Sequence, residues 1–414
     1  MQRLIPILDK VVIATLFIFV AFSMFSISVT QIACGLGGIA WLWRNQLTGS
    51  WRDQRWPLWI PFGLYVLACL IAVVNAYDIS YSYKSLKKVL EILIFFWIIN
   101  CVRENQLRDR LTLLLIFSAT LAGLYGFYQA WVDGVSVAAR VEGTMSVYMT
   151  FAGLLMMVGL VAIARALFKH QNETWLWIAI PVILICLSFT LTRQAWFGFL
   201  VGLFFLGFMW RKNLFLILSG LIVLIVFTSS VLLKSNIYDI LTPKDDTYLE
   251  QIKLRFRGIA SGTDRNFEIR LALWQGGWEI FKAYPITGCG FRCVDLVNSQ
   301  FPDPSGAVKR YRGMHNNLVQ LAVDTGILGL SAWLGIWFLF FRLLYNQTMV
   351  AKEDPHERSI IFGSVAAVLA FLAGGLFESN YYDSEVAMAL YFIMALPFSG
   401  TQNNASITSS HQQI

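Results

Sequence analysis

Apolar segments alternate with short polar connections along most of the chain. A helix needs about 20 apolar residues to cross the hydrocarbon, because every backbone polar group must be satisfied inside it. The pattern predicts twelve such spans, at residues 11–27, 29–43, 57–75, 85–102, 111–131, 146–167, 174–192, 195–210, 214–233, 326–345, 359–376 and 384–398. We therefore expect an all-α integral membrane protein with about twelve transmembrane helices.

Lysine and arginine are concentrated in every second connection. Cytoplasmic loops of membrane proteins hold the excess of these residues, so the alternation predicts an orientation. The basic connections, which we place in the cytoplasm, contain Arg44, Arg52, Arg55, Arg103, Arg108, Arg110, Arg165, Lys169, Arg211, Lys212, Lys352 and Arg358. This orientation puts both termini in the cytoplasm.

One connection on the outer side is far longer than the others. Residues 234–325 are too many for a simple connector, and long loops in compact proteins usually carry function. We therefore expect nine transmembrane helices within residues 1–233, a large outer segment with amphipathic helices at 234–325, and three more transmembrane helices within 326–398. Residues 399–414 are rich in Ser, Thr, Asn and Gln, which predicts a disordered cytoplasmic tail.

A stripe of apolar residues predicts one helix in this outer segment. Phe267, Leu271, Trp274, Trp278 and Phe281 recur at spacings of four and three, which places them on one helical face. Polar and charged residues occupy the other faces. Such a helix lies on the membrane interface, caps the bundle or packs as a soluble-type helix under a lid.

A second helix is predicted from Tyr248 to Ile259. It presents Lys253, Arg255 and Arg257 beside apolar residues. Clustered cations next to an apolar face suit contact with anionic headgroups or with a pyrophosphate.

The composition agrees with a lipid environment. Hydrophobic residues make up 57% of the chain and charged residues only 14%, whereas soluble domains carry about 25% charged residues. The net charge of +7 does not indicate a nucleic-acid partner, because the basic residues are dispersed and form no stripe interleaved with aromatic residues. Membrane lipids are the expected surroundings.

Two of the six cysteines, Cys289 and Cys293, fall in the outer segment. An oxidising compartment permits a disulfide there, and the spacing of four leaves both a disulfide and a pair of free thiols open. The other four cysteines lie inside or at the ends of apolar runs, where a thiol behaves as a small hydrophobe.

Three ionisable residues near the outer membrane face are candidates for chemistry. A charge at a helix centre costs about 2.5–3.5 kcal/mol on insertion scales, so those that remain usually have a task. Arg193 lies in a tight connection between two apolar helices, Arg270 beside the apolar stripe, and His315 before the tenth span. The alternatives are an interfacial anchor for Arg193, a solvated side chain for Arg270 and a structural histidine. No metal-ligand spacing accompanies His315.

These residues belong to an ordered set of short motifs. Arg193 is followed by Arg270-Leu271-Ala272-Leu273-Trp274, Pro285-Ile286-Thr287-Gly288-Cys289-Gly290, His315-Asn316-Asn317-Leu318 and Gly326-Ile327-Leu328-Gly329-Leu330, and Arg140-Val141-Glu142-Gly143-Thr144 precedes the sixth span. From about residue 80 onward the chain resembles the O-antigen ligase and polymerase superfamily. Each motif is weak alone, and their order gives the resemblance its specificity.

The resemblance implies an enzyme that transfers a glycan from undecaprenyl pyrophosphate to an acceptor hydroxyl at the periplasmic face of the bacterial inner membrane. For a ligase, the donor is undecaprenyl-pyrophosphate-linked O-antigen and the acceptor is a sugar of lipid A-core, so the product is complete lipopolysaccharide. It also implies a fold that resembles the C class of glycosyltransferases, and no metal or other cofactor.

A departing pyrophosphate gains negative charge, so an enzyme without a metal needs fixed cations beside it. Arginine suits this task because its planar fork binds phosphate oxygens bidentately and stays charged. We assign Arg193 and Arg270 to the pyrophosphate. Further candidates for substrate binding are Arg140, Lys84, Lys88, Arg255, Asn316 and Glu378. Anchoring to lipid headgroups is the alternative for the lysines.

The acceptor hydroxyl must lose its proton during the attack, and a neutral imidazole can take it near pH 7. His315 is therefore the predicted base, with a hydrogen bond from its imidazolium form to the pyrophosphate as the alternative. Glu378 orients His315, binds sugar or is simply solvated in its loop.

Other functions remain open. An O-antigen polymerase uses the same donor with a second lipid-linked glycan as acceptor, and a protein O-oligosaccharyltransferase is a third possibility. We favour a ligase because the candidate residues converge on one late outer segment, whereas those of polymerases are often divided between two loops. A lipid-linked glycan transporter would show related halves and helices broken near the bilayer midplane, and no convincing repeat is present.

Overall fold

The computed structural model describes residues 4–136, 139–168, 173–212, 265–311, 313–351 and 354–401. Within these ranges all regular structure is helical. The α-helices are α1 (Ile5–Phe22), α2 (Ile27–Thr48), α3 (Trp59–Val74), α4 (Ile79–Tyr83), α5 (Ile92–Cys101), α6 (Asn105–Asp133), α7 (Tyr148–Phe168), α8 (Leu176–Phe189), α9 (Arg193–Trp210), α10 (Arg265–Ala283), α11 (Val294–Val297), α12 (Ala307–Tyr311), α13 (Asn317–Val350), α14 (Pro355–Gly374) and α15 (Ser384–Ala395). Short 3₁₀ helices are formed by Ser50–Asp53, Leu86–Glu91, Asn298–Gln300, Asn380–Tyr382 and Leu396–Phe398.

Six helices of the described ranges are long and apolar enough to cross a membrane, namely α1, α6, α7, α9, α13 and α14. The chain is therefore a multi-pass membrane protein, and its described part is helical. Three shorter apolar helices accompany them: α3, α8 and the continuous helical stretch at 384–398. The total of twelve spans stays a prediction, since the span at 214–233 lies outside the described residues. The helix predicted at 248–259 and most of the C-terminal tail also lie outside the described residues.

The predicted span at 85–102 is interrupted. Its first part is the 3₁₀ helix Leu86–Glu91, and only α5 continues as an α-helix. Lys88 and Glu91 lie in this first part, and the Lys88 ammonium donates to the carbonyl of Tyr382. Charged groups that bond to a loop in this way do not extend an apolar span.

Successive helices run in opposite directions, so their termini collect at two ends of the bundle. The first turns of α7 and α15 meet where the hydroxyl of Thr150 donates to Asp383. The start of α13 meets the end of α14, where the Asn317 backbone amide donates to the Gly375 carbonyl at 2.7 Å. We call this the His315 end. Arg108 bonds Glu357 at the opposite end, as the alternation of basic connections requires. Which end faces the cytoplasm stays a prediction.

The middle of the bundle is formed by α7 and α14, whose side chains are nearly all buried. Helix α9 packs closely against α14 at Gly198 and Gly202, one helical turn apart. A side chain at Gly198 would collide with the Ala370 carbonyl of α14. Small residues at this spacing let two membrane helices approach each other, and here they bring the start of α9 close to the end of α14.

Helices α10, α11 and α12 enclose a second, smaller core that packs on the first half of α13. Leu273, Ile280, Val297, Val308 and Met314 are its main buried members. Cys289 and Cys293 also belong to this core and are joined by a disulfide. Of the two alternatives for these cysteines, the structure contains the disulfide.

The buried face of α10 differs from the face that the apolar stripe predicts. Phe267, Leu271 and Trp278 are 44%, 41% and 56% exposed. The packed face instead carries Gly276 and Gly277 with buried aliphatic neighbours, because glycine lets α12 and the start of α13 come close. Helix α10 therefore turns most of its aromatic stripe away from the protein core.

Candidate active site at the His315 end

His315 is held by a carboxylate from a distant part of the chain. Its Nδ1 lies 3.0 Å from Oε1 of Glu378, which also accepts the Ser379 amide at 3.1 Å. Glu378 is less exposed than the imidazole, at 15% against 29% of the side chain. Its other oxygen, Oε2, is buried and has no hydrogen-bond partner within the described ranges. The pair fixes the ring while part of the imidazole stays accessible.

The two asparagines after His315 tie this segment to the loop at residues 375–383. The Asn316 side chain caps α13 by accepting the amides of Leu318 and Val319, at 2.8 and 3.1 Å, and it donates to the Leu376 carbonyl at 2.9 Å. Asn317 donates to Asn380 at 2.6 Å. The structure therefore uses Asn316, which the sequence suggested as a substrate ligand, to position His315.

Phe377, in the loop after α14, contacts helices α9 and α10 at the same place. Its ring lies 5.7 Å from that of Phe197 in α9 and 6.3 Å from that of Trp274 in α10. The Trp274 indole also donates to the carbonyl of Met314, the neighbour of His315, at 3.0 Å. Phe377 itself precedes Glu378, so its contacts gather α9 and α10 around the His315–Glu378 pair.

Arg193 and Arg270 both lie one helical turn before a residue that contacts Phe377. Arg193 precedes Phe197 by four positions, and Arg270 precedes Trp274 by four. Residues at this spacing share one face of a helix, with about 5–6 Å between their Cβ atoms. The two arginines therefore lie on helix faces that converge on Phe377.

Arg140 joins Arg193 at this end of the bundle. Its guanidinium lies over the ring of Tyr148, 4.4 Å from the centroid. Burial lowers the pKa of Arg140 below its ordinary value, and the positive charge of Arg193 acts in the same direction. Two cations that lie close enough to repel each other form a place suited to an anion.

The predicted lysines lie away from this centre. Lys88 contacts Tyr382 at the far end of the loop 375–383, with its ammonium also 5.5 Å from the tyrosine ring centroid. Lys84 is exposed at the end of α4. Arg255 lies outside the described residues. Of the predicted cations, Arg193 and Arg270 lie on the helices that meet Phe377, and Arg140 lies near Arg193.

Sequence reasoning missed a buried acid that supports the same loop. Asp324 is 1% exposed and accepts the Tyr382 hydroxyl at 2.8 Å and the Gln320 amide at 3.0 Å. Burial raises the pKa of the Tyr382 phenol well above its ordinary value, so the hydroxyl keeps its proton and donates it to this bond. An acid inside an apolar run signals such a partner, although the sequence does not identify it.

The two glycine motifs form one joint in the backbone. Gly326 interrupts α13 with a φ of 63°, and the turn at 285–290 takes up the polar groups that the interruption frees. The Cys289 amide donates to the Val323 carbonyl at 3.0 Å, and the Ile327 amide donates to the Pro285 carbonyl at 2.9 Å. Both motifs are thus structural, and they fix the angle of the half-helix that begins at Asn317, directly after His315 and Asn316.

Comparison with known proteins agrees with the geometry. The family described as O-antigen ligase (Wzy_C) matches residues 177–334, from α8 to the middle of α13. The matched region contains Arg193, Arg270, His315 and Asn316, and it ends before Glu378. The match supports the superfamily of O-antigen ligases and polymerases without separating the two. No curated protein matches the chain.

Proposed function

We propose that this protein is an O-antigen ligase, which transfers polysaccharide from undecaprenyl pyrophosphate to a sugar hydroxyl of lipid A-core at the periplasmic face of the bacterial inner membrane. The observation that carries the proposal is the convergence at Phe377: the helices that bear Arg193 and Arg270 meet the loop that holds His315 through Glu378. The family match at residues 177–334, which include Arg193, Arg270 and His315, is described as O-antigen ligase and supports this activity.

The arginines act on the leaving group. As the bond between the anomeric carbon and the pyrophosphate oxygen breaks, negative charge grows on the diphosphate. Fixed guanidinium groups stabilise this charge without reorganisation, because the fold has already positioned them. Arg193 and Arg270 bind the pyrophosphate oxygens, and Arg140 adds positive potential from behind Arg193.

His315 acts on the acceptor. When Nδ1 carries the proton and donates it to Glu378, Nε2 keeps a free lone pair. The acceptor oxygen forms its bond to the anomeric carbon, its proton passes to Nε2, and undecaprenyl pyrophosphate departs with the electron pair of the broken bond. Glu378 stabilises the imidazolium that results, so its role is to position and support the base.

Reconstitution tests the proposal. The purified protein in liposomes with lipid-linked O-antigen and lipid A-core should join glycan to core, and His315→Ala should abolish this transfer. Growth of glycan on the carrier without transfer to core would replace the ligase with a polymerase. Translocation of the lipid-linked glycan that persists in His315→Ala, without any transfer, would instead support a transporter.

A further inference from the structure

Helix α12 presents three consecutive polar and aromatic residues to solvent directly before His315. Ala307 and Val308 are buried in the small core beneath α10, and they anchor the helix there. Lys309, Arg310 and Tyr311 follow on the exposed side. We call these three residues the α12 rim. The anchor keeps the rim at a constant distance from the site.

The rim touches His315 through an aromatic contact. The ring of Tyr311 lies edge-on to the imidazole, 6.2 Å between centroids. The Arg310 guanidinium lies 5.5 Å from the centroid of the Tyr311 ring. Stacking of this kind limits the conformations of a long arginine side chain, so Arg310 is held beside the Tyr311 ring.

No carboxylate of the described residues forms an ion pair with Lys309 or Arg310. The nearest acid along the chain, Asp303, uses its oxygens on the Lys309 backbone amide at 3.0 Å and on the Ser305 hydroxyl at 3.2 Å. The two cations therefore project a positive potential that the described part of the protein does not neutralise. Such a potential attracts anionic ligands.

The position of the rim separates it from the arginines of the pyrophosphate site. His315 contacts Glu378 through Nδ1, and the ring of Tyr311 lies edge-on to the imidazole. Arg193 and Arg270 lie on helices α9 and α10, which meet at Phe377. The second group of cations thus adjoins the imidazole from α12, and an acceptor whose hydroxyl reaches the imidazole comes close to this group.

We infer that Lys309 and Arg310 form an acceptor subsite that binds an anionic substituent, a phosphate or carboxylate, on the sugar chain whose hydroxyl His315 activates. The inference rests on the proposed function and adds a substrate class to it. Arg310 supplies the bidentate contact and Lys309 a point charge. The anionic headgroups of lipids offer the same chemistry, so the experiment includes both sources.

Kinetics with matched acceptors test the subsite. Transfer is measured in nanodiscs of zwitterionic lipid, with phosphorylated lipid A-core and with the same acceptor after phosphatase treatment. Arg310→Ala should raise KM for the phosphorylated acceptor about tenfold while kcat is kept. With the treated acceptor, the wild type should already show the higher KM, and Arg310→Ala should add nothing. The KM of Arg310→Lys for the phosphorylated acceptor should lie between those of the wild type and Arg310→Ala. Lys282 is an exposed lysine of α10, and Lys282→Ala should have the KM of the wild type.

An equal rise in KM for both acceptors in Arg310→Ala would overturn the subsite while leaving the proposed ligase activity intact. A loss that appears only after anionic phosphatidylglycerol is added to the nanodiscs would assign the rim to lipid headgroups and would also overturn it. Absence of transfer by the wild type to every acceptor would instead refute the proposed function.

Binding gives a readout that needs no activity. Phosphorus NMR follows glucose 6-phosphate against the Arg193→Ala/Arg270→Ala double variant, in which the pyrophosphate site is disabled. Line broadening should persist in this background, disappear when Arg310→Ala is added and remain with Lys282→Ala. Broadening that survives Arg310→Ala and Lys309→Gln together would refute the subsite.

Discussion

Oε1 of Glu378 lies 3.0 Å from Nδ1 of His315, although 63 positions separate the two residues in the chain. The contact joins the loop after α14 to the start of α13, and the neighbouring Asn317–Asn380 bond reinforces it at 2.6 Å. A carboxylate in this position selects one tautomer of the imidazole and fixes the orientation of the ring. The pair therefore has the geometry of a base and its support.

Glu378→Gln tests that support. The amide keeps the shape of the side chain but removes its negative charge, so the imidazolium loses stabilisation and the tautomer is no longer fixed. We expect kcat for glycan transfer to fall about 100-fold with little change in KM. In His315→Ala, kcat should fall further. Steady-state kinetics of the reconstituted protein measure both. A Glu378→Gln variant with wild-type kcat would show that the carboxylate is only structural.

Arg193 and Arg270 should each be essential for transfer. Arg193→Ala and Arg270→Ala remove the charge beside the leaving diphosphate, and we expect ligation to be abolished while expression and membrane insertion are intact. Arg193→Lys and Arg270→Lys should recover only a small part of the transfer rate, since an ammonium lacks the planar fork of a guanidinium. Labelled-glycan transfer assays give the rates.

A matched control lies on the same helix as Arg193. Arg211 is exposed at the opposite end of α9, so Arg211→Ala should keep wild-type activity. Full activity in the alanine variants of both Arg193 and Arg270 would defeat the assignment of the pyrophosphate site.

The sequence was informative where charge stands out against an apolar background. Arg193, Arg270 and His315 could be identified because each interrupts or borders an apolar run, and the structure gathers their segments at one end. Phe377 carried no such signal, because one phenylalanine among 32 does not differ from its neighbours in the sequence. Its role depends on which helices meet there, and helix pairing is not encoded in local periodicity.

The stripe on α10 shows a second limit of periodicity. Phe267, Leu271 and Trp278 share a helical face, and in a soluble protein that face would be buried. In a membrane protein an apolar face can instead turn outward, so the pattern identified the helix but not its packed side. Asn316 had a recognisable signature, since an asparagine before an apolar helix is a typical N-cap. That signature favours the structural role that the fold gives it.

The backbone joint at Gly326 should tolerate no side chain. Gly326 and Gly288 have φ values of 63° and 70°, and a Cβ on either would collide with the backbone of the other segment. Gly326→Ala should therefore lower the free energy of unfolding by at least the roughly 1–3 kcal/mol that such a conformation costs. Thermal unfolding in detergent would record this as a lower Tm.

Gly35→Ala provides the control for this joint. Gly35 lies inside α2, and nothing stands within 4 Å of the position that its Cβ would take. Since alanine favours a helix more than glycine, the change should leave Tm unchanged or raise it slightly. If Gly326→Ala behaved like Gly35→Ala, the joint would not be rigid.

Transfer should persist when divalent metal ions are removed. The arginines stabilise the departing diphosphate in our proposal, so the mechanism requires no divalent ion beside it. We expect the rate in EDTA to equal the rate in added Mg²⁺. An absolute requirement for a divalent ion, restored by titrating the metal back, would refute the mechanism in which arginine alone serves the leaving group.

At the opposite end of the bundle, Arg108 should stabilise the fold without affecting transfer directly. Its side chain is 1% exposed, forms a two-pronged contact with Glu357 and donates to the Ser399 carbonyl at 3.0 Å. Glu357 is 25% exposed, so the pair is largely hidden from water. Removing one partner of a buried ion pair leaves the other charge uncompensated, at a cost of about 3–5 kcal/mol. Arg108→Ala should lower Tm strongly.

The pair of Lys282 and Glu279 is the exposed counterpart, since its side chains are 50% and 42% accessible. Water and salt screen such a pair, so Lys282→Ala should change the stability by less than about 1 kcal/mol. Arg108→Ala should keep the wild-type KM below its unfolding temperature, because the residue lies far from His315 along the bundle. A raised KM at unchanged Tm would mean that Arg108 is coupled to the site at His315. The assignment of a purely stabilising role to Arg108 would then be wrong.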